Sequence, residues 1–134
     1  MNERYIRQTM IPEIGEAGQE KLKNAKVLIV GIGGLGSPIS LYLTAAGVGQ
    51  IGLIDDDIVS KSNLQRQILY TEAEIGQSKV ECACRRLSAL NSSTRFETYP
   101  NRFTSDNADR LVSAYAIIID GGRIVMNRAV TLYI

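Results

Sequence analysis

The fold of this chain is decided by residues 26–36, which read KVLIVGIGGLG. The apolar run 27–30 is typical of a strand that is buried on both faces of a parallel sheet. The glycines that follow it with the spacing G-x-G-x-x-G are Gly31, Gly33 and Gly36. Because proline is tolerated only in the first turn of a helix, Pro38 indicates that a helix begins directly after them. Strand, glycine turn and helix in this order predict the first unit of a nucleotide-binding α/β sheet.

Strands and helices alternate along the rest of the chain. A helix is predicted to run from Ser37-Pro38 to Gly47, and a second apolar strand at 51–54 stops at three aspartates. The remaining patterns predict helices at 16–24, 79–91 and 106–114 and strands at 95–99 and 116–119. Residues 60–76 are predicted as a long loop with helical turns, and residues 1–15 as an irregular segment without a core element. The fold class is therefore α/β, with a Rossmann-like, doubly wound and mainly parallel sheet that ends after about four strands.

Length and composition narrow the possible functions. A chain of 134 residues is expected to form one domain, which leaves no room for a separate substrate domain. With 15 Lys and Arg against 14 Asp and Glu, the net charge of +1 provides no field for nucleic acid or an anionic membrane. Histidine is absent, which excludes imidazole catalysis, Ser-His-Asp triads and His-bound metal. Any anion site must therefore be local.

The two cysteines indicate a compartment rather than a reaction. Cys82 and Cys84 are two residues apart in a predicted helix, where their side chains point away from each other and cannot easily form a disulfide. Two thiols without a signal peptide favour a reducing cytoplasm. Cys84 is expected to be a small core residue on the apolar face of that helix. No apolar run approaches the length of a membrane span.

The glycine turn predicts a phosphate site. Glycines allow the backbone to approach phosphates closely, and the helix N-terminus behind them carries partial positive charge. Asp55 follows about twenty residues later, at the end of the second strand, where a carboxylate can accept hydrogen bonds from ribose hydroxyls. The alternative is that the glycines only pack the helix on the sheet.

Cations beyond the second strand indicate which chemistry follows. Arg66 and Lys79 come after the three aspartates 55–57, and such cations stabilise charge on a triphosphate in phosphoryl or nucleotidyl transfer. A hydride-transferring dehydrogenase needs no such clamp, because the nicotinamide supplies the chemistry. The alternative for each cation taken alone is an ordinary solvated surface charge.

Six collinear motifs carry a resemblance to one family. They are RYIRQ at 4–8, VGIGGLG at 30–36, AGVG at 46–49, DDD at 55–57, SNLQRQ at 62–67 and IGQSKV at 75–80. Together they resemble the N-terminal part of the ThiF/MoeB/HesA family, bacterial relatives of the ubiquitin-activating enzymes, with the closer likeness to the ThiF members. The resemblance extends from residue 3 to about residue 121.

The resemblance implies an adenylyltransferase. Members use ATP with Mg²⁺ to adenylate the C-terminal glycine carboxylate of a ubiquitin-like sulfur-carrier protein, in thiamine or molybdopterin cofactor biosynthesis. Carried over position by position, it implies that Gly34 lies against the nucleotide and that Asp55 binds the ribose. The residues expected around the phosphates are Asn63, Arg66, Gln67 and Lys79, and the nucleotide set also includes Asp57 and Asp120. Arg7 matches an arginine that, in the family, reaches across a dimer interface to the ATP of the partner subunit. The resemblance therefore implies a homodimer, with Arg66, Lys79 and Arg7 as the catalytic cations.

The chain departs from the family after the fourth predicted strand. Members continue with Asp-x-Thr-Asp-Asn, in which the second aspartate serves magnesium, whereas here Asp120 is followed by Gly-Gly and then Arg123. A cation at that position would repel Mg²⁺. The family's two Cys-x-x-Cys zinc pairs have no counterpart in this chain, so no protein-bound metal is expected. Residues 122–134 are interpreted as an aberrant tail.

A shift of reading frame near Gly122 would explain both the broken motif and the tail. Permitted codons for residues 123–134, read from their third bases, can encode the Asn-x-x-x-Arg-Tyr-Leu-Ile that the family has at that spacing. The coding DNA tests this hypothesis, because a single-base change must then restore the motif.

Three functions follow from the sequence. The first is an adenylating enzyme of the ThiF type, impaired in this form of the chain. The second is a non-catalytic fragment or pseudo-enzyme that binds ATP or only dimerises. The third, a Rossmann oxidoreductase, is disfavoured by the segment from Asn63 to Lys79.

Overall fold

The computed structural model describes residues 2–121, which form one four-stranded sheet with helices on both faces. The strands are β1 (Lys26–Val30), β2 (Gln50–Ile54), β3 (Arg95–Tyr99) and β4 (Ile117–Asp120). The helices are α1 (Ile6–Thr9), α2 (Gly15–Asn24), α3 (Gly36–Ala46), α4 (Lys79–Leu90) and α5 (Ser105–Ala114). Short 3₁₀ turns lie at Glu3–Tyr5, Lys61–Asn63 and Glu72–Glu74. The predictions for Arg123 and the tail lie outside the described residues.

The order of the strands across the sheet is β3-β2-β1-β4, and every pairing is parallel. The chain moves from β1 outward to β3 and then returns to the other side of β1 for β4. In open α/β sheets, ligands bind at the carboxyl ends of the strands where the order reverses in this way. The reversal lies between β1 and β4, where Val30 is paired with Asp120. The predicted Rossmann-like, mainly parallel sheet is confirmed.

Two hydrophobic clusters cover the two faces of the sheet. Successive side chains of a strand point to opposite faces, so Ile29 packs toward α3 and α4, whereas Leu28 and Val30 pack toward α5. All three are completely buried. Helices on both faces explain why β1, β2 and β4 are continuous apolar runs, whereas β3 at the edge of the sheet alternates. No helix within residues 2–121 has the length and apolar character needed to cross a membrane.

The prediction that residues 1–15 are irregular and make no core element is wrong. They contain a 3₁₀ turn and α1, and Tyr5 is only 8% exposed. The Tyr5 ring packs on Gly47, where a Cβ would lie 2.7 Å from the ring. Its hydroxyl accepts a hydrogen bond from Asn91 Nδ2 at 2.8 Å. The short segment is held by distant parts of the chain, so its own periodicity carries no signal.

The expectation for the cysteines is also corrected. Cys82 is completely buried and belongs to the core, whereas Cys84 is half-buried beside Ser88. The reason is that the preceding loop covers the first turn of α4. Gln77 of that loop lies against the Cys82 thiol, and Arg85 of α4 donates to its Sγ at 3.4 Å. Helical periodicity alone cannot show what a loop covers. Both cysteines are free thiols.

Candidate functional site

A cleft of about 680 Å³ lies at the carboxyl ends of the strands, where the strand order reverses. This volume is within the range of small-molecule and cofactor sites. Among the residues that line it are nine of the predicted nucleotide-site residues: Gly31, Gly33, Gly34, Asp55, Asp57, Asn63, Arg66, Gln67 and Lys79. They come from the glycine turn, the end of β2, the loop 60–76 and the start of α4.

The glycine turn brings the start of α3 to the cleft. Gly31 has φ +85°, a conformation that L side chains rarely adopt, and its N–H donates to the Ile54 carbonyl at 2.9 Å. A Cβ on Gly36 would lie 2.0 Å from the Gly31 carbonyl oxygen, so only glycine allows the helix to start this close to the strand. No side chain caps the N-terminus of α3. Ser37 donates its N–H to the Gly33 carbonyl and Pro38 has none, so the first turn offers an anion chiefly the partial positive charge of the helix.

Asp55 connects the end of β2 to the glycine turn. Its Oδ2 accepts the N–H of Ile32 at 2.8 Å, and its Oδ1 accepts the N–H of Asp57 at 2.8 Å. Each carboxylate oxygen can accept a second hydrogen bond, so these contacts leave capacity for the hydroxyls of a ribose. The sequence predicts the ribose role of Asp55 but not its contact with the turn.

Lys79 and Asp57 form an ion pair at the edge of the cleft. Lys79 Nζ lies 3.0 Å from Asp57 Oδ2, and the Lys79 side chain is 5% exposed against 57% for Asp57. Partial burial raises the pKa of Asp57, but the hydrogen bonds from Lys79 and from the Ile58 N–H and the charge of Lys79 outweigh it and lower the pKa. The Asp57 carboxylate is thus ionised at neutral pH. The buried ammonium is held at the cleft rather than free on the surface.

The loop 60–76 places two further side chains, those of Arg66 and Gln67, along the glycine turn. A Cβ on Gly33 would lie 3.4 Å from Gln67 Nε2, and one on Gly34 would lie 3.7 Å from Arg66 Nε. Gln67 is only 4% exposed, and its Oε1 has no hydrogen-bond partner among residues 2–121. A buried acceptor without a partner is costly, which is typical of an atom that a ligand satisfies. These features fit a nucleotide in the cleft.

Three predicted site residues lie apart from the lining of the cleft. Gly36 packs behind the turn, against the Gly31 carbonyl, and half-buried Asp120 ends β4 beside Gly121, which lines the cleft. Arg7 is exposed on α1. The N-terminal segment that contains Arg7 makes polar contacts at the C-terminal ends of α3 and α4. For example, Gln8 Nε2 donates to the Ala46 carbonyl at 3.0 Å. The structure does not bring Arg7 to the cleft of its own chain.

Among the lining residues that the sequence analysis misses are Asn101, Arg102, Phe103 and Gly121. The first three connect β3 to α5. Their signal was their place directly after a strand that neighbours β2, because parallel strands end at the same edge of a sheet. Gly121 follows β4 and packs on the first glycines: a Cβ there would lie 3.0 Å from the Gly31 carbonyl oxygen.

Comparison with known proteins identifies the family. The model of the ThiF family matches residues 5–127. The chain belongs to the ThiF family. The sulfur carrier protein adenylyltransferase of Thermus thermophilus is 48% identical over 118 residues, which are 88% of this chain and 44% of that protein. The probable adenylyltransferase/sulfurtransferase MoeZ of Mycobacterium tuberculosis is 47% identical over 118 residues, 88% of this chain and 30% of that protein.

Solved structures agree with the ThiF assignment. The tRNA N6-threonylcarbamoyladenosine dehydratase TcdA of E. coli, crystallised in complex with ATP, matches with a TM-score of 0.85 and 30% identity. The match covers 95% of this chain and 52% of TcdA. The chain thus spans about half, or less, of the length of these relatives. Within residues 2–121, no group of three or more Cys, Asp or Glu side chains is placed to hold a metal ion.

Proposed function

We propose that the chain binds ATP in the cleft and serves the adenylation of the C-terminal glycine of a ubiquitin-like sulfur-carrier protein. One observation carries the proposal: a glycine turn, a carboxylate suited to ribose and a buried ammonium converge on one cleft with an unpartnered amide oxygen. The likeness to the sulfur carrier protein adenylyltransferase of Thermus thermophilus supports the choice of reaction. We also propose that residues 1–134 form a single nucleotide-binding domain, the N-terminal half of such an enzyme.

The proposed reaction is an in-line displacement at the α-phosphate. The glycine carboxylate attacks phosphorus, the bond to the β-phosphate oxygen breaks, and pyrophosphate leaves with its electron pair. In this scheme Asp55 orients the ribose, and the amides of the glycine turn bind phosphate. Arg66 and Lys79 oppose the negative charge that accumulates on the phosphates. Mg²⁺ has no assigned step in this scheme, because residues 2–121 contain no cluster of acidic or thiol side chains that would hold the ion without the nucleotide.

The proposed partner is a sulfur carrier of the thiamine or molybdopterin pathway, and the proposed compartment is the cytoplasm. Two free thiols, one of them completely buried, are consistent with a reducing environment.

We also propose a homodimer in which Arg7 acts on the partner's nucleotide. Because α3 begins at the glycine turn and runs for eleven residues, its end at Ala46 lies roughly 16 Å from the cleft. Arg7 belongs to the segment bound at that end. A cation there can reach a nucleotide only in another copy. Mixing Arg7→Ala with Lys79→Ala chains should then restore part of the activity that each variant lacks alone, whereas failure to restore any would exclude the shared site.

Exchange of labelled pyrophosphate into ATP tests the reaction. With a carrier that ends in glycine, label should enter ATP, and a carrier that lacks its last glycine is the matched control. Binding of ATP without exchange would instead identify a non-catalytic nucleotide-binding fragment. A rise of Tm with NAD but not with ATP would identify an oxidoreductase.

A further inference from the structure

Tyr70 lies behind the glycine turn, on the side away from the cleft. It follows the turn that carries Arg66 and Gln67, it is 5% exposed, and it belongs to the hydrophobic cluster between the sheet and α4. The cleft is lined by its neighbours and not by Tyr70 itself. Its hydroxyl is therefore a buried polar group that must find a partner inside the protein.

That partner is the glycine turn. The Tyr70 hydroxyl donates to the carbonyl oxygen of Ile32 at 2.5 Å, while the N–H of Ile32 donates to Asp55 Oδ2. Residue 32 is thus held on both sides, by a phenol and by a carboxylate. Both contacts come from residues far along the chain, so they fix the turn independently of its own glycines.

The geometry of the peptide group gives this contact a consequence at the cleft. In a planar trans peptide the C=O of Ile32 and the N–H of Gly33 point in opposite directions. Because the carbonyl is drawn toward Tyr70 behind the turn, the N–H of Gly33 is turned the other way. Gly33 lines the cleft. The hydroxyl of Tyr70 therefore sets the direction of an amide that faces the ligand.

The contact joins a longer series of polar groups. From Asp55 the series continues through the Asp57 N–H to the Asp57 carboxylate and from there to Lys79 Nζ at 3.0 Å.

Burial raises the pKa of Tyr70, and the charge of Asp55 raises it further, so the phenol stays protonated at neutral pH and remains a donor.

We propose that Tyr70 is a positioning residue for the nucleotide, whose hydroxyl orients the Gly33 amide toward the phosphates without touching them. The inference rests on the proposed nucleotide binding and adds a residue that acts through the turn. The alternative role is purely structural, in which the hydroxyl only satisfies a buried hydrogen bond.

Removing the hydroxyl separates the two roles. Tyr70→Phe keeps the ring and its packing and should raise the Kd for ATP about tenfold, with a smaller effect on adenosine, which has no phosphate for the Gly33 amide. Tyr115→Phe is the matched control, because it removes a buried hydroxyl that is hydrogen-bonded with Tyr99 on the other face of the sheet. The control should lower Tm by a similar amount and leave the Kd for ATP unchanged.

Calorimetric titration of the 134-residue chain gives the outcome. A Kd for Tyr70→Phe that stays within about twofold of the original chain, a difference of about 0.4 kcal/mol, would overturn the inference while leaving the proposed function intact. If the original chain does not bind ATP, the proposed function fails and this inference fails with it.

A second probe covers the case in which Tyr70→Phe does not fold. With 3-fluorotyrosine at position 70, the hydroxyl is kept, and its ¹⁹F resonance should shift when ATP binds. The same label at position 115 should show no shift. A resonance at position 70 that is insensitive to saturating ATP would contradict a positioning role.

Discussion

Buried amide side chains lie at the amino edge of the sheet, where the strands begin, and at the carboxyl edge, where they end. The two groups differ in their hydrogen bonding. At the amino edge, Gln19 Nε2 donates to the Ala46 carbonyl, and Asn91 Nδ2 donates to both the Tyr5 hydroxyl and the Thr44 carbonyl. At the carboxyl edge, Gln67 is buried to the same degree as these residues, yet its Oε1 has no partner among residues 2–121. The protein satisfies the amide groups of Gln19 and Asn91 at the amino edge, whereas the amide oxygen of Gln67, a residue that lines the cleft, is left unsatisfied. This difference distinguishes a structural edge from a binding edge.

Substitution in the glycine turn should have the largest effect. In Gly36→Ala the new Cβ would meet the Gly31 carbonyl oxygen at 2.0 Å, and a backbone atom cannot move aside as a flexible side chain does. We expect a loss of about 3 kcal/mol or more in the free energy of unfolding, measured by urea titration. In Gly33→Ala the nearest contact of the Cβ would be the flexible side chain of Gln67, with Nε2 at 3.4 Å, so this control should lose less than about 1 kcal/mol. Equal losses would show that the turn is not packed as described.

Removal of the buried ammonium should weaken nucleotide binding strongly. Lys79→Met keeps most of the buried aliphatic volume but leaves Asp57, which is exposed enough to remain solvated, without its partner. We expect about a 100-fold rise in the Kd for ATP, because a charge-assisted contact to phosphate is lost in a partly water-excluded cleft.

The matched control for Lys79 is the exposed Lys61 in the adjoining loop. Lys61→Met should change the Kd less than about twofold, because a solvated surface charge contributes little. If both substitutions weaken binding equally, the effect is one of net charge and the cleft is not the site.

A pair of amide substitutions tests the contrast between the two edges directly. Asn91→Leu breaks the two hydrogen bonds that Nδ2 donates and the one that Oδ1 accepts from the Ser93 N–H, so it should cost about 2 kcal/mol of stability. Gln67→Met should change stability by less than about 0.5 kcal/mol, because the Oε1 that it removes has no partner there to lose. The same variant should raise the Kd for ATP about fivefold. Thermal unfolding and calorimetry measure the two effects, and a reversed order of stabilities would contradict the distinction.

The smallest expected effect is a pH dependence from Asp57. Its pKa is lowered below the ordinary value of 3.8, so the unfolded chain takes up a proton at higher pH than the folded chain does. The stabilisation is therefore complete above the unfolded pKa and is lost as the pH falls through the folded one. Because the side chain is 57% exposed, we expect only a few tenths of a kcal/mol. Asp57→Asn should flatten the stability profile below about pH 5 by this amount, as measured by urea titration at several pH values.

Most of the fold could be predicted because its signals are local. Buried parallel strands are continuous apolar runs, and Gly36 and Pro38 mark the start of a helix whatever the rest of the chain does. The segment 1–15 could not be predicted in this way, because α1 has four residues and is held by contacts of Tyr5 and Gln8 with residues 38 to 86 positions away. Helices this short are not stable by themselves.

The sequence by itself determined the order of elements, the glycine turn and the types of residue that face a phosphate, since each is set by the covalent geometry and polarity of neighbouring residues. Only the tertiary structure decided which groups meet. The pairing of Lys79 with Asp57, the contact of Tyr70 with the carbonyl of Ile32 and the unpartnered oxygen of Gln67 depend on how α4 and the loop 60–76 fold back on the sheet. Contacts between residues far apart along the chain leave no periodic pattern of residues in the sequence. They arise because parallel strands end at one edge and bring separate segments together there.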